Sequence, residues 1–143
     1  MLIVDTNVLV YAVNVDARQH EASYTWLSEQ LRSGTEVVGM PWMSLLGFVR
    51  ICTHARILGR PITAEQAMAL VNAWISHPRV VTPEPSVRHA ALLAGLLAEA
   101  GAAGNLTNDA HLAALALEYG ATMVTFDRDF ARFGVRVHVP TVQ

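Results

Sequence analysis

The chain has no lysine, and all 10 of its basic residues are arginine. That absence excludes Schiff-base catalysis, a lysine-bearing phosphate loop and every mechanism built on an ammonium group. Cysteine is almost missing too: Cys52 stands alone, so neither a disulfide framework nor a cysteine metal site can form within one chain. Cys52 reads as a buried thiol, and a reducing cytoplasm is the expected setting. Charge is sparse, at 15% of residues with a net charge of -2. No global positive field favours nucleic acid, so any such contact has to come from local arginines. Long apolar runs are also lacking. Residues 37–49 form the longest uncharged run near the middle, and Pro41 interrupts it, so no bilayer span and no membrane association are expected. The amino end carries Asp5 inside its apolar stretch and has no basic region before it, which argues against a signal peptide.

What is present fits one domain over residues 1–143. Hydrophobic residues make up 52% and mean hydropathy is +0.32, high enough that an apolar surface kept for a partner or a second copy is expected. A short β-branched run, residues 1–4, is followed by Asp5 and a second apolar stretch over 8–13. Residues 21–32 carry Ala22, Trp26 and Leu27 at helical spacing, and residues 36–39 read as a strand. Pro41 opens a helix to about Arg56. Thr63 with Gln66 forms a capping box for a helix through Ile75, and Val80-Val81 reads as a short strand. Ser86 caps a helix through Ala100, and residues 101–104 read as a flexible joint. Thr107 or Asn108 caps a further helix that Gly120 stops. Residues 121–126 and 135–139 close the chain as strands. Strands alternate with helices and no Asn-Gly hairpin signal joins apolar runs. The expected class is therefore α/β, with a mainly parallel sheet covered by helices on both faces.

Acids stand where strands end. Asp5 follows the first strand, Asp127 and Asp129 follow the strand at 121–126, and Asp109 is the conspicuous charge near the start of an Ala- and Leu-rich helix. In a parallel sheet such residues emerge at one carboxyl edge, where open α/β sheets place ligands. Carboxylates gathered there raise one another's pKa unless a cation sits among them. Oxygen donors without paired His or Cys suit Mg²⁺ or Mn²⁺.

Asp5-Thr6-Asn7, the run from Asn108-Asp109-Ala110-His111 to Ala116, and Thr125-Phe126-Asp127-Arg128-Asp129-Phe130 together resemble the PIN domain, and most closely the VapC-type ribonuclease toxins of bacterial toxin–antitoxin pairs. The resemblance covers essentially the whole chain. It implies a three-layer α/β/α fold and a Mg²⁺-dependent endoribonuclease that stops translation by cutting structured RNA of the tRNA or rRNA class. It also implies a homodimer, and neutralisation by a cognate VapB-type antitoxin. Asp5, Asp109 and Asp127 would be the catalytic and metal-binding residues, with Asp129 a further candidate. The chain departs from the pattern at one point: Gly47 stands where such domains usually place a second acid, and residues 40–64 hold no Asp or Glu.

Each signal has a plainer reading. Asp5 would also serve as a helix cap, Asp109 as a favourable charge near a helix start, and Asp127 or Asp129 as turn residues. Thr6 and Asn7 orient Asp5 or touch substrate, or simply tie off the turn. Arg50, His54, Arg56 and Arg60 form either a phosphate-binding face, with Arg50 the foremost, or a solvated helix face. His111, two residues from Asp109, reads as packed or surface-bound in preference to a ligand, and Trp26, Trp42 and Trp74 as core or dimer contact. A haloacid-dehalogenase-like phosphatase or a receiver domain also opens with a strand ending in Asp. The first wants an acid at Asn7 and both lean on a lysine, which this chain lacks. A catalytically weakened or inactive PIN-like scaffold that binds RNA or protein is the alternative that Gly47 supports.

Overall fold

A computed structural model describes residues 1–101 and 106–142. The elements run β1 (Leu2–Val4), α1 (Thr6–Val13), α2 (His20–Ser33), β2 (Val38–Gly39), α3 (Trp42–Cys52), α4 (Ala64–Ile75), β3 (Val80–Val81), α5 (His89–Ala100), α6 (Leu106–Tyr119), β4 (Thr122–Val124), a 3-10 turn (Arg128–Phe133) and β5 (Arg136–His138). Among the described residues the strands form one sheet in the order β3-β2-β1-β4-β5, and every pairing is parallel. The expected three-layer α/β/α arrangement is the one observed.

Strand alternation builds the layers. Leu2, Val4 and Val124 face one core, packed with Val8, Leu45 and Phe48. Ile3 and Met123 face the other, with Leu112, Leu115 and Phe130. Successive side chains of a strand point to opposite faces, so three residues of β1 feed two cores at once. Such a strand has to be apolar throughout, as 2–4 are. Cys52 is fully buried, and burial pushes its thiol up to about 11. Trp26 and Trp74 belong to the core, whereas Trp42 is 40% exposed.

Local signals set most helix boundaries. The capping box at Thr63 and Gln66 forms as expected. Gly120, at φ +59°, ends α6 in the left-handed region that glycine tolerates. Three boundaries differ from expectation. Helix α3 stops at Cys52 rather than near Arg56, and the Cys52 carbonyl accepts from the Ile62 amide at 2.9 Å instead of from a further turn of helix. Ser86 does not cap α5, which begins at His89; its hydroxyl is turned to Glu118 instead. Thr107 and Asn108 lie inside α6 rather than capping it. Of the joint expected at 101–104, Gly101 closes α5 at φ +62° and the remainder lies outside the described residues.

Because the sheet is parallel, β1 and β4 end at the same edge, with Val4 in register with Val124. The Asp5 amide donates to the Val124 carbonyl at 3.0 Å, which carries the ladder one step further and sets Asp5 beside Thr125.

Candidate active site

Asp5 is 8% exposed and caps α1. Its Oδ1 accepts from the Thr6 amide at 2.7 Å. Its Oδ2 accepts from the Thr125 hydroxyl at 2.7 Å and from Asn7 Nδ2 at 3.2 Å. Asn7 in turn accepts from the Phe126 amide through Oδ1 at 3.2 Å, clamping α1 to the end of β4. Burial raises the Asp5 carboxyl above its ordinary range. The bonds from Thr125 and Thr6 oppose that rise, and the neighbouring charge of Asp127 adds to it. Asn7 thus holds Asp5 through its side chain, while Thr6 holds it through the backbone amide of the helix cap and turns its hydroxyl to the Ser44 carbonyl.

Asp109 lies in the first turn of α6. Its carboxyl is pushed up to about 6, chiefly by burial and then by the charges of Asp5, Asp127 and Asp129, while Arg132 pulls it down. Asp127 caps the 3-10 turn, and its Oδ1 accepts from the Asp129 amide at 2.9 Å. Asp5, Asp109 and Asp127 all line one cleft of about 860 Å³. Asp129 is exposed and does not line it, although its charge reaches Asp109.

The acids face a common space without forming a closed ligand set: among the described residues, no three His, Cys, Asp or Glu side chains are gathered tightly enough to hold an ion. Both Asp5 oxygens are engaged by donors, and one Asp127 oxygen is turned to its own loop. The donor chemistry, all carboxylate oxygen, still fits a hard divalent cation that keeps most of its water.

Gly47 lines the cleft on α3, opposite α1. A Cβ there would lie 2.5 Å from Thr6 Oγ1, which itself donates to the Ser44 carbonyl at 3.1 Å. The closeness of α3 to the start of α1 therefore leaves no room for a side chain at the position where a second acid was looked for. Of the proposed phosphate face, Arg50 lines the cleft, while Arg60 pairs with Asp16 at 3.3 Å. His54 and Arg56 are exposed and outside it, with His54 Nδ1 accepting from the Arg56 amide.

Two further residues shape the site: Thr125, which sequence reasoning did not single out, and His111, which it read as packed or surface-bound. Thr125, fully buried, holds Asp5 and also accepts from the Asp127 amide at 3.0 Å. A threonine ending an apolar strand just before an acid was the available signal. His111 lines the cleft rather than merely packing, and its Nδ1 meets His89 Nε2 at 2.9 Å; His89 Nδ1 meets Glu118 Oε2 at 3.1 Å.

The sequence profile of the PIN domain matches residues 2–135. The chain belongs to the PIN domain family. Among curated PIN-family relatives it is 48% identical to Ribonuclease VapC37 of Mycobacterium tuberculosis over 141 residues, 98% of this chain and 97% of the relative. Against Ribonuclease VapC43 of the same species it is 42% identical over 133 residues, 93% and 90% of the two chains. Solved structures share the PIN fold. The Mycobacterium tuberculosis VapC20 toxin, which cleaves the sarcin-ricin loop, superposes with a TM-score of 0.71 at 18% identity, covering 94% of this chain and 96% of that one. The Rickettsia felis VapBC2 complex bound to a DNA fragment from its promoter gives a TM-score of 0.69 at 19% identity, covering 98% of both chains.

Proposed function

We propose that this PIN-domain protein is a Mg²⁺- or Mn²⁺-dependent endoribonuclease toxin that cuts structured cellular RNA of the tRNA or rRNA class, stops translation, and is neutralised by a cognate VapB-type antitoxin. It works in the cytoplasm as a homodimer. The observation that carries this reading is the cleft itself: three acids from elements far apart in sequence line one space, and burial, with the charges of the neighbouring acids added, lifts Asp109 to about 6. Full-length relatives named ribonucleases support the activity, and solved VapBC complexes support the antitoxin. Among the described residues no helix is long and apolar enough to cross a membrane.

Asp5 and Asp109 would hold the divalent ion, with Asp127 reaching it through water. Mg²⁺ accepts one or two carboxylates, several waters and substrate phosphate, so a loosely gathered acid set suits it. When bound, such an ion neutralises phosphate charge and acidifies a water for attack on phosphorus. The chain's own part is placement. Thr6, Asn7 and Thr125 fix the Asp5 carboxylate, Asp127 orients the attacking water, and Arg50 faces the phosphodiester from the opposite wall with a charge-assisted hydrogen bond.

The test is cleavage of total cellular RNA by purified protein with Mg²⁺, beside Asp5→Asn and Asp109→Asn, followed by sequencing of RNA ends after brief induction in cells. Cleavage is expected from the parent chain alone and is lost on chelation. Undiminished cleavage by both folded variants would remove the proposal. A second reading, a PIN scaffold that binds without cutting, is favoured by Gly47 in the cleft wall and by the open acid arrangement. Metal binding by calorimetry together with intact RNA would select it.

A further inference from the structure

From the acids the cleft continues between α1 and α3. Along α1 it is lined by Asn7, Val10, Tyr11 and Asn14, one face of a helix that leaves Asp5 behind, and the last of these lies about 10 Å along the axis from the first. On the facing wall stand Leu46 and Arg50, one turn apart on α3, and Ile57 beyond the helix end. Two of these are large apolar side chains held open to water: Leu46 is 60% exposed and Ile57 53%. Aliphatic surface gains by being covered, and in the wall of a cleft it marks a place that a ligand completes. The polar groups at this end are few. Asn14 Oδ1 accepts from the Asp16 amide at 3.2 Å, which leaves Nδ2 as a donor. The Tyr11 ring stands edge-on to Phe126, with centroids 5.3 Å apart and planes at 79°, and its hydroxyl has no hydrogen-bond partner among the described residues.

An RNA whose phosphodiester sits on the acids carries its neighbouring nucleotide into this end, because both belong to one cleft and Arg50 shares the wall with Leu46. A base inside a duplex keeps its faces against other bases and offers aliphatic side chains only ribose and phosphate. An unpaired base brings a free apolar face and a polar edge, which match the aliphatic wall and the tips of Tyr11 and Asn14. We infer that the α1–α3 end of the cleft is a subsite for one unpaired nucleobase beside the scissile phosphodiester, its face packed on Leu46 and Ile57 and its edge met by the Tyr11 hydroxyl and the Asn14 amide. This rests on the nuclease reading of the cleft and deepens it: the RNA is cut where a base stands out of its helix.

The test is anisotropy titration of the full chain, with Ca²⁺ in place of Mg²⁺, using a short random-sequence oligoribonucleotide and an abasic ribose-phosphate oligomer of the same length, beside cleavage of total RNA with Mg²⁺. The parent chain is expected to bind the base-bearing oligomer more tightly. Leu46→Ser and Ile57→Ser, both at exposed positions that leave the core untouched, should each weaken that binding about three- to tenfold and leave the abasic oligomer unaffected. Tyr11→Phe keeps the ring against Phe126 and should act in the same direction by about threefold. Arg50→Gln, which removes a phosphate contact, should weaken both oligomers alike. Equal losses on both oligomers in Leu46→Ser and Ile57→Ser would mark a merely structural role and overturn the inference. So would a parent chain that binds the abasic oligomer as tightly as the other, or unchanged RNA binding by both variants, which would assign the apolar wall to a protein segment instead. If the parent chain still cleaves total RNA in those cases, this inference alone falls. If it neither cleaves RNA nor binds either oligomer, the nuclease reading falls as well.

Discussion

The Thr125 hydroxyl donates to the Asp5 carboxylate at 2.7 Å, a buried bond between residues 120 apart in the chain. The same oxygen accepts from Asn7 Nδ2 and from the Asp127 amide, so one side chain joins the ends of β1 and β4 to the turn that carries the third acid.

Thr125→Val keeps the shape and removes that donor and acceptor. Loss of a hydrogen bond to a buried charged group costs about 1.5–3 kcal/mol. Urea denaturation at neutral pH should show a loss of this size. A change within about 0.5 kcal/mol, the scatter of an inconsequential surface substitution, would show that Asp5 does not depend on Thr125.

Asp109 gives a pH dependence whose sign follows from its raised carboxyl. Its value moves from 3.8 to about 6, so the folded chain binds the proton more tightly than the unfolded chain. Its contribution is complete below 3.8 and is lost as pH rises through 6. Asp109→Asn, neutral at every pH, should therefore raise the thermal midpoint at pH 8 in chelator and change it little at pH 4. Added Mg²⁺ or Mn²⁺ should stabilise the parent chain at pH 8 and the variant less. A variant equally stable relative to its parent at both pH values would contradict the burial of Asp109 among neighbouring acids.

Gly47→Ala would ordinarily stabilise a helix interior by about 0.5–1 kcal/mol. Here the added carbon meets Thr6 Oγ1 at 2.5 Å and Thr6 Cγ2 at 3.0 Å. Overpacking should reverse the sign and cost about 1–3 kcal/mol. Thr6→Ala removes both atoms, so the double variant should be more stable than the sum of the two single changes predicts. Strict additivity in a double-mutant cycle would count against this contact.

Ser44 Oγ is buried with no hydrogen-bond partner among the described residues. Ser44→Ala leaves the backbone carbonyl that Thr6 uses and removes the unpaired hydroxyl, so stability should rise by about 1 kcal/mol. A clear fall in the denaturation midpoint would mean that the hydroxyl has an acceptor in solution.

Much of this was legible in the residues themselves. The apolar run at 2–4 had to be a strand buried on both faces, Thr63 and Gln66 could cap only one way, and Asp5, Asp109 and Asp127 marked strand and helix ends. What escaped depends on partners far away. Ser86 looked like a helix cap because nothing nearby announces Glu118, which lies on another helix. The early end of α3 goes with a bond to the Cys52 carbonyl from the Ile62 amide, ten residues further on. His111 read as packed or surface-bound, because its partner His89 sits on a different helix.

The pairing of β1 with β4 also orders events in time. Asp5 and Thr125 lie 120 residues apart, so the groove that Asp5 faces is incomplete until Thr125 and Asp127 have been made. A chain that stops before Thr125 lacks both the donor that holds Asp5 and the third acid of the cleft.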